Sequence, residues 1–312
     1  MAQAVAHFGM HSFFRRIFYY GQWHIAFAMK GSDEPGLTRS SSFCTISPPL
    51  GYSYADPFLL RHKGRAYLFF EVYSQRERGV IAFSEIIGFA RYTQPKVVLR
   101  APYHLSYPFV FEWNREIYLL PETQENETIE LYRATAFPCE WVLDRVLMRG
   151  VKLVDPTLYF TDSKWWLFAG CRTPSAKEVS ELYLFVADSP LGPWIGHPRN
   201  PVVIGEHCAR PAGRLFQLDG KLVRPGQDSS RHYGEAIWLN RVERLTESEY
   251  QEVPLLRLGP ETLPDARRTH TLDFDEQMQV QDGLRFVSRL SAWRAAGSVR
   301  HFIRPLKPND AQ

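Results

Sequence analysis

Tyr54-Ala55-Asp56-Pro57-Phe58-Leu59-Leu60-Arg61-His62-Lys63-Gly64-Arg65-Ala66-Tyr67-Leu68-Phe69-Phe70-Glu71 carries the pattern that decides the fold. A short polar opening with a proline runs into an apolar strand, turns at His62-Lys63-Gly64-Arg65, and returns as an aromatic strand. Two strand-length apolar runs separated by a glycine turn read as a β-hairpin. The plan recurs. Ser106-Tyr107-Pro108-Phe109-Val110-Phe111 turns at Trp113-Asn114-Arg115 into Ile117–Glu122. Val154-Asp155-Pro156-Thr157-Leu158-Tyr159-Phe160 turns at Thr161-Asp162-Ser163 into Trp165–Phe168. Ala209-Arg210-Pro211-Ala212-Gly213-Arg214-Leu215-Phe216 turns at Leu218-Asp219-Gly220 into Leu222–Pro225, and a weaker fifth copy starts at Thr269-His270-Thr271-Leu272.

The openings fall near residues 54, 106, 154, 209 and 269, the period of one four-stranded propeller blade. Further strand material follows the first four hairpins at Gly79–Phe83, Thr128–Arg133, Glu181–Val186 and Tyr233–Leu239. The expected fold is all-β: one five-bladed β-propeller over residues 1–312, with the N-terminal segment 1–50 closing the ring. Trp23–Phe27 and Val299–Ile303 are the segments expected to pair at the closure, which would remove exposed sheet edges.

Composition agrees. The 312 residues include 8 Trp, 15 Tyr and 21 Phe, with 22 Pro and 20 Gly to supply turns. Aromatics favour strands. With 37 Lys+Arg against 34 Asp+Glu, the net charge of +3 gives no nucleic-acid footprint. Cys44, Cys139, Cys171 and Cys208 lie far apart without a Cys-x-x-Cys pair, which argues against a cysteine zinc ribbon. No apolar run approaches the roughly 20 residues of a membrane-spanning helix. Residues 13–20, with Phe13, Phe14, Ile17 and Phe18 around Arg15 and Arg16, read either as a membrane-surface patch or as a first packed element. Without a signal-peptide pattern the expected location is the cytoplasm, with membrane association open.

Innermost strands of a propeller line its central channel. The openings therefore bring Asp56, Tyr107, Asp155, Arg210 and His270 together, with Glu71, Glu122, Arg224, Gln227 and Asp228 in or after the following strands. Paired carboxylates perform glycosyl chemistry, one as acid and the other as base or nucleophile. Asp56 is the candidate base, Glu122 or Glu71 the candidate acid, and Asp155 a residue that orients hydroxyls or tunes a neighbour. Arg210 and Arg224 suit anionic groups; ion pairs between blades are the structural alternative. Tyr103, Tyr107, Trp113, Tyr233 and Trp238 are candidates for stacking on sugar faces, and equally for blade cores. Each Asp-Pro is also an ordinary turn former. The run Asp273-Phe274-Asp275-Glu276 has the look of a metal motif but lacks a nucleotide-binding α/β pattern around it. No metal and no cofactor is called for.

Taken together, Tyr54-Ala55-Asp56-Pro57, His104-Leu105-Ser106-Tyr107-Pro108, Leu120-Pro121-Glu122-Thr123, Asp155-Pro156-Thr157, Gly192-Pro193-Trp194, Ala209-Arg210-Pro211-Ala212-Gly213, Arg224-Pro225-Gly226-Gln227-Asp228, Tyr233-Gly234 and His270-Thr271-Leu272 resemble one family. It is the family of the N-terminal domain of plant glucosamine inositolphosphorylceramide transferases and their microbial relatives, and the likeness runs from about Trp23 to about Phe286. That domain is similar in turn to the propellers of family 43 glycoside hydrolases. The resemblance implies a carbohydrate site at the propeller centre, with Asp56 matching the base and Asp155 the acid-tuning aspartate. Where that pattern has its acid glutamate, this chain has Arg210. His104, Tyr107, Tyr233, His270, Glu71, Arg224, Gln227 and Asp228 are the implied substrate contacts. The expected activity is glycosyl transfer or processing in surface polysaccharide or glycolipid biosynthesis; glycoside hydrolysis and non-catalytic glycan binding are the alternatives. The expected partners are a carbohydrate or nucleotide sugar, a membrane or glycolipid surface, and a partner transferase.

Overall fold

The computed structural model describes residues 19–29 and 43–288. Its strands form five antiparallel sheets arranged as the blades of a propeller. From the axis outward, blade one is Tyr52–His62, Arg65–Ser74 and Val80–Gly88, with the short edge strands Arg91–Tyr92 and Lys96–Leu99. Blade two is Ser106–Trp113, Glu116–Thr123, Thr128–Ala136 and Glu140–Arg149. Blade three is Leu153–Thr161, Lys164–Cys171 and Glu181–Ala187, edged by Ile195–Gly196 and Val203–Ile204. Blade four is Phe216–Leu218, Lys221–Asp228, Ala236–Leu245 and Tyr250–Leu258. Among the described residues there is no α-helix, and none long and apolar enough to cross a membrane.

Blade five joins the two ends of the chain. Leu272–Phe274 and Met278–Ser288 supply its inner strands, and Tyr19–Met29 and Cys44–Ile46 complete it. Trp23–Phe27 pairs with Val280–Leu284; the partner expected for it is Val299–Ile303. That second segment, and residues 13–18 of the aromatic–basic stretch, lie outside the described residues.

The turns follow from local chemistry. Four inner hairpins close through two-residue loops in which both residues have positive φ: Lys63-Gly64, Asn114-Arg115, Asp162-Ser163 and Asp219-Gly220. Loops of that conformation match the right-handed twist of the strands they connect. The second strands are buried on both faces, so Ala66–Phe70 reads as a continuous apolar run instead of an alternating one. The cores lie between blades: Phe58, Phe69, Phe109 and Leu119 belong to one cluster, and Ile25, Phe27, Leu68 and Phe70 to the next.

At the axis three blades share one irregularity. Pairing slips between Ala55 and Phe58, between Ser106 and Phe109, and between Val154 and Thr157. The bulged residues Asp56, Tyr107 and Asp155 have φ of 53°, 47° and 52°, and each precedes a proline. A non-glycine residue in this region costs about 1–3 kcal/mol and persists only where its surroundings hold it. Tyr107 shows what holds it. Its hydroxyl lies 2.8 Å from Thr157 Oγ1 of blade three and accepts the Gly213 N–H of blade four at 2.8 Å. Its own N–H donates to Asp56 Oδ2 of blade one at 3.3 Å.

Gly213 has φ of 132°, and a Cβ there would run into the Leu272 carbonyl oxygen of blade five. Backbone does not yield cheaply, so Gly213→Ala is expected to cost about 3 kcal/mol or more. A urea midpoint unchanged from wild type would show that the axis is not packed this tightly.

Candidate functional site

The bulges at Asp56 and Asp155 turn two aspartates toward the axis. Asp56 Oδ1 accepts the Thr271 hydroxyl at 2.7 Å and lies 3.6 Å from His270 Nε2, both from blade five. His270 Nδ1 is 2.5 Å from Asp282 Oδ2. Asp282, fully buried, also accepts the main-chain N–H groups of Asp56, His270 and Thr271. The His270 ring stacks on Trp23 with centroids 4.1 Å apart, so the closing strand builds this corner. Burial raises the Asp56 carboxyl to about 7, against the charge of His270 and with the charges of Glu71, Asp155 and Asp282 adding to the rise. For His270 burial works downward, but Asp282 and Asp56 outweigh it and its pKa rises.

Across the axis, Arg210 grips Asp155 through Nε at 2.5 Å and Nη2 at 3.3 Å, and lies over the Tyr233 ring at 5.2 Å. Glu122 Oε2 accepts the Asp155 N–H at 3.3 Å and sits 3.8 Å from Arg210 Nη2. Burial, then the Asp155 charge, pushes the Glu122 carboxyl well above its ordinary value, with Arg210 pulling the other way. On the third side His104 Nε2 meets Glu71 Oε1 at 2.8 Å.

These groups line one open cavity of about 220 Å³. Blade five contributes Trp23 and His270, blade one Asp56, Glu71 and Tyr73, blade two Ser106 and Glu122 with His104 just before them, and blade four Arg210 and Tyr233. Blade three reaches it through Asp155, which does not line the cavity but holds Arg210 and abuts Glu122.

Four residues named as substrate contacts are placed elsewhere. The Tyr107 hydroxyl is spent on the axis, and the side chain is fully buried against Phe58. Arg224 is 1% exposed and gives its guanidinium to Glu252, at 2.7 and 2.6 Å, and to the Cys208 carbonyl at 2.8 Å. Asp228 binds Ser230 and Arg257. Gln227 is buried, does not line the cavity, and its amide has no partner among the described residues. Tyr103 donates to Glu130, and Asp273 and Asp275 pair with Arg214 and Arg61, so none of these three adds to the site. Sequence reasoning did not find Trp23, Tyr73, Ser106 or Asp282; the Trp23 and Asp282 positions follow only from the closing register.

Asp56, His270 and Asp282 each offer one ligand atom within 4.8 Å of the others, the geometry of a candidate cation site. The Asp282 oxygens already accept three main-chain N–H groups, so a cation would compete with the bonds that hold this corner.

A propeller of five blades is a fold shared with glycoside hydrolases. A family 117 glycoside hydrolase from Zobellia galactanivorans superposes with TM-score 0.52 at 13% identity, covering 85% of this chain and 91% of its own. A family 43 glycoside hydrolase from Bacillus licheniformis gives 0.52 at 11% identity, covering 82% and 61%. At that identity the likeness is one of fold. The sequence goes further: residues 37–281 match the family described as Glucosamine inositolphosphorylceramide transferase 1, N-terminal, and the chain belongs to that family. Glucosamine inositolphosphorylceramide transferase 1 of Oryza sativa subsp. japonica is 38% identical over 270 residues, covering 80% of this chain and 35% of the relative. Its Arabidopsis thaliana counterpart is 39% identical over 218 residues, covering 68% and 28%. The chain spans about a third of the length of these relatives.

The raised carboxyls have a sign that can be tested. Asp56 keeps its proton to about pH 7 in the native state but only to about pH 4 when unfolded. Its contribution to stability is therefore complete below about pH 4 and is lost as the pH rises through about 7; the raised His270 acts in the same sense. Asp56→Asn removes the titration, so the fall in stability from pH 4 to 7 should be shallower than in wild type. Parallel profiles of melting temperature against pH for the two proteins would contradict the assignment.

Proposed function

We propose that this propeller is the sugar-handling module of a glycosyl transfer reaction in glycolipid biosynthesis, and that the central cavity holds an uncharged part of the glycan. The observation that carries the reading is the convergence of Asp56, Glu71, Glu122, Arg210 and His270 on one cavity with Trp23, Tyr73 and Tyr233 in its wall. Aromatic faces with hydrogen-bonding acids are what sugar hydroxyls and ring C–H surfaces require. Membership of a family named for transferases supports transfer.

The charge balance assigns the role. Arg224, expected to neutralise an anionic donor or acceptor, is bound to Glu252 and does not line the cavity. Arg210 is matched by Asp155, which leaves Asp56, Glu71 and Glu122 facing the ligand. A nucleotide diphosphate there would meet carboxylates, whereas a neutral polyol would meet hydrogen-bond acceptors. In this reading the cavity binds the acceptor, and the donor is held by another part of the machinery. Asp56, with its pKa near neutrality, takes the proton from the attacking hydroxyl. The hydroxyl oxygen bonds to the donor's anomeric carbon, and the donor's leaving group departs with the electrons of the broken glycosidic bond. His270, 3.6 Å from Asp56, steadies the carboxylate before transfer.

Glu122 supports one further reading. A carboxyl whose pKa is raised by burial and by the Asp155 charge has the character of the acid that glycoside hydrolysis needs. Incubation with nitrophenyl glycosides separates the two, since release of nitrophenol without any acceptor would favour hydrolysis.

The direct test is thermal shift with glucosamine, N-acetylglucosamine and myo-inositol against UDP-sugars. A ligand that binds only the native state raises stability by RT ln(1 + [L]/Kd). A free sugar is expected to stabilise wild type, and Asp56→Asn to lose most of that increment. Stabilisation by nucleotide sugars alone, equal in Asp56→Asn, would overturn the reading.

A further inference from the structure

The rim of the cavity carries a hydrogen-bonding device that the transfer step does not use. His104 Nε2 lies 2.8 Å from Glu71 Oε1, and on the other side of the ring Nδ1 accepts the main-chain N–H of Gly79 at 3.0 Å. A main-chain N–H can only donate, so Nδ1 carries no proton in this arrangement. The single ring proton sits on Nε2, the nitrogen that lies 2.8 Å from Glu71 Oε1. The backbone thereby selects the tautomer.

The seat of the ring is fixed from three directions. Leu105 N–H donates to the Gly79 carbonyl at 3.1 Å. His104 N–H donates to Glu125 Oε2 at 2.7 Å, and Arg78 holds Glu125 Oε1 at 2.9 Å. Glu125 stands in the turn Gln124–Asn126 directly after the strand that carries Glu122, so the same contacts tie the two cavity glutamates to one frame. Gly79 admits no larger residue: a Cβ would run into the Leu105 carbonyl oxygen and lie 2.6 Å from Glu71 Oε1 and 2.7 Å from His104 Cε1.

Glu71 itself is 6% exposed at its side chain, and it lines the cavity. Oε1 is the oxygen that meets the His104 ring at 2.8 Å, and Oε2 takes no part in that contact. We propose that Glu71 Oε2 is a hydroxyl acceptor for the bound sugar and that His104 is the positioning residue that holds it there, with Gly79 N–H setting the imidazole tautomer. This rests on the reading of the cavity as a sugar site. A carboxylate fixed on one oxygen presents the other in a single direction, and the freezing of its long side chain is completed before the ligand arrives.

Calorimetric titration with glucosamine, N-acetylglucosamine and myo-inositol tests the assignment on wild type, Glu71→Gln, His104→Ala and His104→Gln. Loss of a charge-assisted hydrogen bond weakens binding by about tenfold or more. That loss is expected in Glu71→Gln and His104→Ala, while His104→Gln, whose amide N–H can replace Nε2–H, recovers most of the affinity. Nitrogen-15 imidazole spectra of the ligand-free protein should show His104 as the Nε2–H tautomer. A Nδ1–H tautomer overturns the positioning role, and a folded Glu71→Gln protein that binds sugar like wild type overturns the proposal. Failure of wild type to bind any sugar overturns the reading of the cavity, and the role of Glu71 with it; wild-type binding unchanged in His104→Ala overturns the positioning role alone.

Discussion

The Tyr107 side chain is the point on which the architecture of the axis depends. It occupies a strained bulge on blade two, yet its hydrogen bonds run to Asp56, Thr157 and Gly213 on the three other blades nearest it. Blade five is tied in by Asp282, which receives the Asp56 N–H, and by Asp273, which receives the Leu59 N–H at 2.8 Å. The inner strands therefore approach one another through specific polar bonds rather than through apolar contact alone. A small displacement of one blade breaks bonds on its neighbours, and buried donors left unpaired are costly. This is why left-handed backbone at Asp56, Tyr107 and Asp155 persists, and why the cavity above them has a defined shape.

That shape gathers acids whose mutual repulsion and burial would scatter them in a looser fold. Burial with the charges of Glu71, Asp155 and Asp282 raises Asp56, burial with those of Asp155 and Asp56 raises Glu122, and Arg210 with His270 supplies the balancing charge. The pairing is uneven. Asp155 and Asp282 are satisfied by a guanidinium, an imidazole and main-chain N–H groups, while Asp56 and Glu122 retain raised pKa values and face the cavity. Asp155 and Asp282 build the frame, and Asp56 and Glu122, which also accept bonds from neighbouring blades, are the two that line the ligand space. Arg224 with Glu252 shows the purely structural version of the same interaction, buried inside blade four and away from the ligand space.

Most of the propeller is legible in the sequence because its signals are local. Lys63-Gly64 and Asp219-Gly220 announce tight hairpins, and the spacing of the Asp-Pro and Tyr-Pro openings counts the blades. From that count alone Asp56, Glu71, Glu122, Arg210 and His270 converge. Errors arise where side-chain direction matters. Tyr107 shares the bulge of Asp56, but its ring packs on Phe58 and fills the axis instead of lining the cavity. Arg224 and Asp228 are four residues apart on one strand and so face the same side, where Arg224 pairs with Glu252 and Asp228 with Arg257. Trp23 and Asp282 come from strands remote in sequence whose register, Trp23 opposite Leu284 and Ile25 opposite Asp282, no short-range pattern encodes. Gly79 looks like an ordinary loop glycine until the His104 ring is placed beside it.

The account stands on the claim that the cavity walled by Trp23, Asp56, Glu71, Glu122, Arg210 and His270 is where a sugar binds. A crystal structure of the chain soaked with the free sugar that most raises its melting temperature tests this most directly. The account predicts a sugar ring inside the cavity, with hydroxyls within hydrogen-bonding distance of Asp56 and Glu71 Oε2. Sugar density on an outer blade surface, with the cavity filled by water alone, would contradict it.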